Sequence, residues 1–84
     1  ELPQYKMIKQ KVTAGFSDRK RILNLVKSKF NKGKINTEDG LRIDYPEFWL
    51  HVRPSNTEPV MRIIIEGREE KLIKSIYSEI KEQL

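Results

Sequence analysis

Cysteine is absent from the sequence, so neither disulfide bridges nor thiolate metal ligands are available. That excludes a small secreted scaffold held by cross-links, and it suits the reducing cytoplasm in which we expect the protein to work. Long apolar runs are lacking too. The most apolar stretch, Val60-Met61 followed by Ile63 to Ile65, is broken by Arg62 and falls far short of the roughly 18 residues of a membrane-spanning helix. There is one histidine, and Asp39, Asp44, Glu47 and Glu58 do not recur at the spacing of a chelating loop, so we expect no metal site. Internal repeats and low-complexity tracts are missing as well. With 84 residues the chain has room for one core, so residues 1–84 form a single domain. It opens on Glu1 and carries no signal-like segment, from which we expect a piece of a larger protein.

Charge is abundant and unevenly placed. Residues 1–34 hold ten basic and two acidic side chains, whereas residues 35–84 hold seven basic and ten acidic ones. A basic first half is one footprint of a polyanion- or RNA-binding module. It is also what a solvated lysine-rich surface looks like, and no set of stacking aromatics accompanies it.

The hydrophobic pattern gives the element order. Tyr5 to Thr13 alternates imperfectly around Ile8 and Val12 and reads as a strand ending at Ala14-Gly15. Ser17-Asp18 offers a helix cap, and Ile22, Leu25, Val26 and Phe30 share one face, predicting a helix over about 18–31 with Gly33 beyond it. Asp39-Gly40 is a turn signal. Leu41 to Tyr45 and Phe48 to Arg53 alternate on either side of Pro46-Glu47 and read as paired strands. Met61 to Glu66 is a β-branched strand, and Leu72, Ile73, Ile76, Tyr77, Ile80 and Leu84 form a helical stripe behind Glu69-Glu70. The order β-α-β-β-β-α predicts a two-layer α+β fold: a mainly antiparallel four-stranded sheet with two helices on one face.

Between the last two strands lies Arg53-Pro-Ser-Asn-Thr-Glu-Pro59, with proline near both ends and small polar residues between. Hydroxyls at Ser55 and Thr57, the amide of Asn56, loop backbone N–H groups and the guanidinium groups of Arg53 and Arg62 are phosphate-binding chemistry. Strand alternation sends Arg53 and Arg62 out of one face, where both can reach one anion. No general base accompanies them. The same letters also fit a capped turn with Arg53 paired to Glu58. A phosphate-cradling turn commonly needs a residue with φ > 0, which Asn56 would supply.

Asp39-Gly40, the run Trp49-Leu-His-Val-Arg53-Pro-Ser-Asn-Thr-Glu-Pro59, and Met61-Arg62-Ile-Ile-Ile-Glu66-Gly67 resemble the carboxy-terminal domain of the α-D-phosphohexomutase superfamily, which includes phosphomannomutase, phosphoglucomutase and phosphoglucosamine mutase. The resemblance covers nearly the whole chain. It implies a fourth domain similar in fold to the TATA-binding protein, with residues 1–4 a remnant of the interdomain linker. It also implies three further domains holding the reactive phosphoserine, the magnesium loop and the sugar-discriminating loop. Carried over residue by residue, it makes Arg53, Ser55, Asn56, Thr57 and Arg62 ligands of the substrate phosphate that is not transferred. The phosphosugar and the other three domains are the implied partners. No cofactor is expected in this domain, although Mg²⁺ is expected in the parent enzyme, and the isolated domain should be inactive. Asn56 stands where the family often has glycine. His51 reads as a half-exposed surface residue rather than a proton carrier. Trp49, on the same outward row, reads as a contact for a neighbouring domain.

Overall fold

A computed structural model describes residues 5–82. Residues 1–4, read above as a linker remnant, and Leu84 of the helical stripe lie outside the described residues. Strand β1 spans Lys6–Thr13, β2 Lys34–Asn36, β3 Leu41–Asp44, β4 Phe48–Pro54 and β5 Val60–Gly67. Helix α1 covers Arg19–Lys29 after a tight 3-10 turn at Phe16–Asp18, and α2 covers Glu70–Lys81. The strands form one sheet in the order β1-β5-β4-β3-β2, and every neighbouring pair is antiparallel.

The α+β architecture with an antiparallel sheet and two helices agrees with the expectation, and the sheet has five strands where four were expected. The added strand, β2, is three residues long and has one apolar residue, too little for a period-two pattern to register. Its Ile35 sits opposite Ile43 of β3 and extends the inner face. Gly33 lies just before it where no Cβ would fit, against Ile43 and Tyr45, so close packing rather than a helix cap accounts for that glycine.

One core holds the layers together. Leu41, Ile43, Leu50, Val52, Met61, Ile63 and Ile65 point inward from the sheet and meet Ile22 and Val26 of α1 and Ile73, Ile76 and Ile80 of α2 in a single buried cluster. Each inward residue of β4 and β5 alternates with a more exposed one, as a sheet covered by helices on one face requires. Asp18 occupies the cap position of α1 but makes no capping hydrogen bond, and its carboxylate lies 3.6 Å from Arg21 instead. The edge strand β1 presents Lys6, Lys9 and Lys11, charges that discourage pairing with a second sheet.

Candidate anion-binding site

The register places the two arginines. Arg53 of β4 is the cross-strand partner of Arg62 of β5, so the side chains leave the same outer face as neighbours. Lys11 of β1 lies opposite Arg62 on its other side. Three cations thus form one row across β1, β5 and β4, an arrangement that opposes folding by like-charge repulsion unless anions answer it. Carboxylates stand at both ends of the row. Glu58 Oε2 lies 3.7 Å from Lys11 Nζ, and Asp39 Oδ1 lies 3.4 Å from Arg53 Nε. Among the described residues no carboxylate pairs with Arg62 in the middle. The alternative of an Arg53–Glu58 pair is not what forms: Asp39 takes Arg53 and Glu58 takes Lys11.

Pro54 ends β4 where its missing N–H does no harm, because β3 pairs with β4 only as far as Leu41 opposite Val52. The loop then closes on itself. Ser55 N–H donates to the Val60 carbonyl at 3.0 Å and Val60 N–H to the Glu58 carbonyl at 2.8 Å. Ser55 Oγ accepts the N–H groups of Thr57 at 3.3 Å and Glu58 at 3.2 Å. Two of the backbone donors expected to face an anion are therefore engaged by the serine oxygen, whose own proton remains to donate. Thr57 Oγ1 lies 3.5 Å from Ser55 Oγ.

Arg53, Pro54, Ser55, Asn56 and Arg62 line one open cleft of about 220 Å³. Four of the five residues singled out in the sequence thus meet at one concavity, and Thr57 belongs to the turn that shapes it. One expectation fails. No non-glycine residue among the described ones has φ > 0, so Asn56 is not left-handed. Bonds from Ser55 Oγ to the two following N–H groups turn the chain with ordinary dihedrals, and the helical or extended regions suffice.

Sequence reasoning missed Arg19. Its Nη2 donates to the Glu58 carbonyl at 2.6 Å and its guanidinium stacks over Phe16 at 4.1 Å, so the first turn of α1 braces the far side of the loop. Ala14 N–H ties the end of β1 to the Pro59 carbonyl at 2.8 Å. Among the described residues Arg19 Nε is buried without a partner, the cost of that brace. One basic residue among several, in Arg19-Lys20-Arg21, gives no sequence signal for such a tether 39 residues away.

Elsewhere on the outer face Trp49 Nε1 donates to Glu66 at 3.1 Å and lies under Arg42 at 4.4 Å, while His51 Nε2 sits 2.6 Å from the Asp39 carbonyl. A larger cleft of about 390 Å³ at the other end of β4 and β5 is lined by Tyr5, Pro46, Glu47, Arg68, Glu69 and Leu72. Its two carboxylates oppose anion binding. The basic first half does not make one surface: Lys9 and Lys11 face outward from β1 beside Ile64 and Arg62, whereas α1 carries its lysines on the opposite, helical side of the sheet.

The family model described as phosphoglucomutase/phosphomannomutase, C-terminal domain, matches residues 7–83. The chain belongs to that family. A phosphomannomutase of Methanocaldococcus jannaschii is 41% identical over 64 residues, covering 76% of this chain and 14% of that protein. A probable phosphoglucosamine mutase of Methanococcoides burtonii is 38% identical over 87 residues, covering all of this chain and 20% of that protein. The phosphohexomutase domain therefore spans about a fifth or less of the curated relatives it matches. A crystal structure of a phosphoglucomutase/phosphomannomutase family protein from Burkholderia thailandensis superposes with a TM-score of 0.68 at 23% identity, over 99% of this chain and 18% of that one. That likeness shows the shared fold. No helix among the described residues is long and apolar enough to cross a membrane.

Proposed function

We propose that this domain anchors the phosphate of a hexose phosphate in a phosphohexomutase, an enzyme interconverting hexose 6-phosphate and hexose 1-phosphate through a bisphosphorylated sugar. The observation that carries the reading is the pairing of Arg53 with Arg62 across β4 and β5 at a cleft walled by Ser55 and Asn56. Family membership supplies the kind of substrate. Two guanidinium groups match the geometry of a phosphate dianion, and the Ser55 hydroxyl and Asn56 amide add neutral donors to its remaining oxygens.

The mechanism assigned to these residues is binding, not bond making. A grip on the phosphate that does not react fixes the sugar relative to the rest of the active site, and binding energy from a remote group can be used to orient the reacting end. No side chain in the cleft is placed as a nucleophile or general base, so the domain by itself should have no mutase activity. Among the described residues no group of three or more histidines, aspartates or glutamates could hold a metal. These residues do not fit the Mg²⁺ that the resemblance implies, and that ion, like the phosphoserine, is assigned to the remaining domains of the parent enzyme. Those domains and the phosphosugar are the proposed partners, in the cytoplasm.

The test is Arg53→Ala in the intact mutase that carries this domain. Losing one charged hydrogen-bonding group should lower kcat/KM for the hexose phosphate by roughly 1.5 to 3 kcal/mol, or ten- to a hundredfold, with KM raised. An unchanged kcat/KM removes Arg53 from the site.

A further inference from the structure

We propose that Asp39 is a positioning residue for the anion site, holding Arg53 so that the outer edge of its guanidinium faces the cleft; this rests on the phosphate reading above. Arginine presents its donors as a rigid fork, and a carboxylate that takes the Nε edge leaves the Nη groups for another oxyanion. Asp39 Oδ1 lies 3.4 Å from Arg53 Nε. Asp39 is absent from the lining of the cleft that Arg53 borders, so Arg53 stands between its carboxylate and the cleft.

The turn that carries Asp39 is itself fixed to β4. Gly40 has φ +75°, and a Cβ there would lie 2.5 Å from the Val52 carbonyl oxygen and 3.2 Å from Arg53 Cα. Both strain and collision therefore demand glycine at this point. The Asp39 carbonyl accepts the Nε2–H of His51 at 2.6 Å, and Asn36 Oδ1 accepts the Glu38 N–H at 2.9 Å behind it. Because the β3–β4 ladder stops at Leu41 opposite Val52, Arg53 has no strand neighbour on that side, and the turn occupies the place instead. His51, surplus to phosphate binding, thereby acquires a role: it holds the backbone of the residue that holds Arg53.

Charge and positioning act in opposite directions here, which makes them separable. By charge alone a carboxylate next to the cleft repels phosphate, so its removal should tighten binding. By positioning, its removal should weaken binding, and an asparagine that keeps the acceptor oxygen without the charge should preserve it. Inorganic phosphate titrated into this chain, read from the amides of residues 53–57 and the Arg53 Nε–Hε signal, distinguishes them. We expect Asp39→Ala to weaken binding by about two- to fivefold, with the thermal midpoint lowered by no more than a few degrees and faster solvent exchange at Arg53 Nε–Hε. Asp39→Asn should bind at least as tightly as the wild type. Tighter or equal binding by Asp39→Ala overturns the proposal, as does weaker binding by Asp39→Asn, the variant to rely on if alanine disturbs the turn. Saturable wild-type binding that Asp39→Ala leaves intact sinks this inference alone. Absence of saturable wild-type binding sinks the phosphate reading with it.

Discussion

Arg62 sits between Lys11 and Arg53 in a row of like charges, and replacing it should move stability and binding in opposite directions. Two unit charges about 6 to 7 Å apart repel by roughly 0.6 to 0.7 kcal/mol in water, and directly opposed like charges on a sheet cost about 0.2 to 1 kcal/mol per pair. Arg62 takes part in two such pairs. Glu58 and Asp39 offset the repulsion at the ends of the row but do not pair with the middle. Arg62→Gln should therefore stabilise the fold by about 0.5 to 1 kcal/mol at low ionic strength, raising the melting midpoint by roughly 2 to 8 °C for a domain of this size. Most of that gain should vanish near 1 M salt, where the Debye length is about 3 Å. The same variant should lose phosphate affinity by ten- to a hundredfold, the worth of a charged hydrogen bond of roughly 1.5 to 3 kcal/mol. Thermal melts at two salt concentrations, followed by phosphate titration of each protein, give both quantities. A lower midpoint at low salt, or unaltered phosphate affinity, would refute the reasoning that this position gives up stability for an anion.

Asn56 has ordinary backbone dihedrals, so Asn56→Val and Asn56→Ala should melt within about 0.5 kcal/mol of each other and weaken phosphate binding equally. A much larger loss for valine in either assay would restore a left-handed backbone at that position. Arg19→Met can keep an apolar contact with Phe16 but removes the charge over the ring and the donor to Glu58, and it should speed amide exchange at Thr57 to Val60 while shifting stability by less than about 1.5 kcal/mol. Exchange unchanged at those amides would mean the brace is idle. Glu70 of α2 has its carboxyl held below the usual range, first by the hydrogen bond from Lys74 and then by that ammonium's charge. A depressed carboxylate stabilises the fold above its ordinary pKa of roughly 4.3 and loses that contribution as pH falls through its lower folded value. Lys74→Ala should therefore show a smaller loss of midpoint on acidification through that window than the wild type; the pair is exposed, and parallel curves would show it contributes nothing.

The layer architecture was legible because its signals are periodic. Leu50 and Val52 alternate with polar neighbours, Met61 to Glu66 is a run rich in β-branched residues bounded by Gly67, and Ile73, Ile76 and Ile80 recur at helical spacing, so each element can be read without the others. Strand β2 was not legible, since Ile35 alone carries no period and its place depends on Ile43 across the ladder. The cleft shows the same division. Arg53 and Arg62 could be placed on one face because alternation along two hairpin strands fixes it. The partner of Arg53 could not, because Glu58 is near in sequence while Asp39 arrives through tertiary structure, by a turn pressed against β4. Arg19 was hidden for the same reason: its contact with Glu58 depends on how α1 enters the fold. The left-handed Asn56 was a local inference from residue type, and the Ser55 hydroxyl made the turn another way.

The most direct test of the account is a titration of the wild-type chain with inorganic phosphate, following every backbone amide at constant ionic strength. Saturable shifts are expected, weak in affinity because one domain supplies only part of an active site, centred on residues 53–57 and on Arg62. Non-saturating shifts spread along the lysines of α1, with the loop amides unmoved, would contradict it.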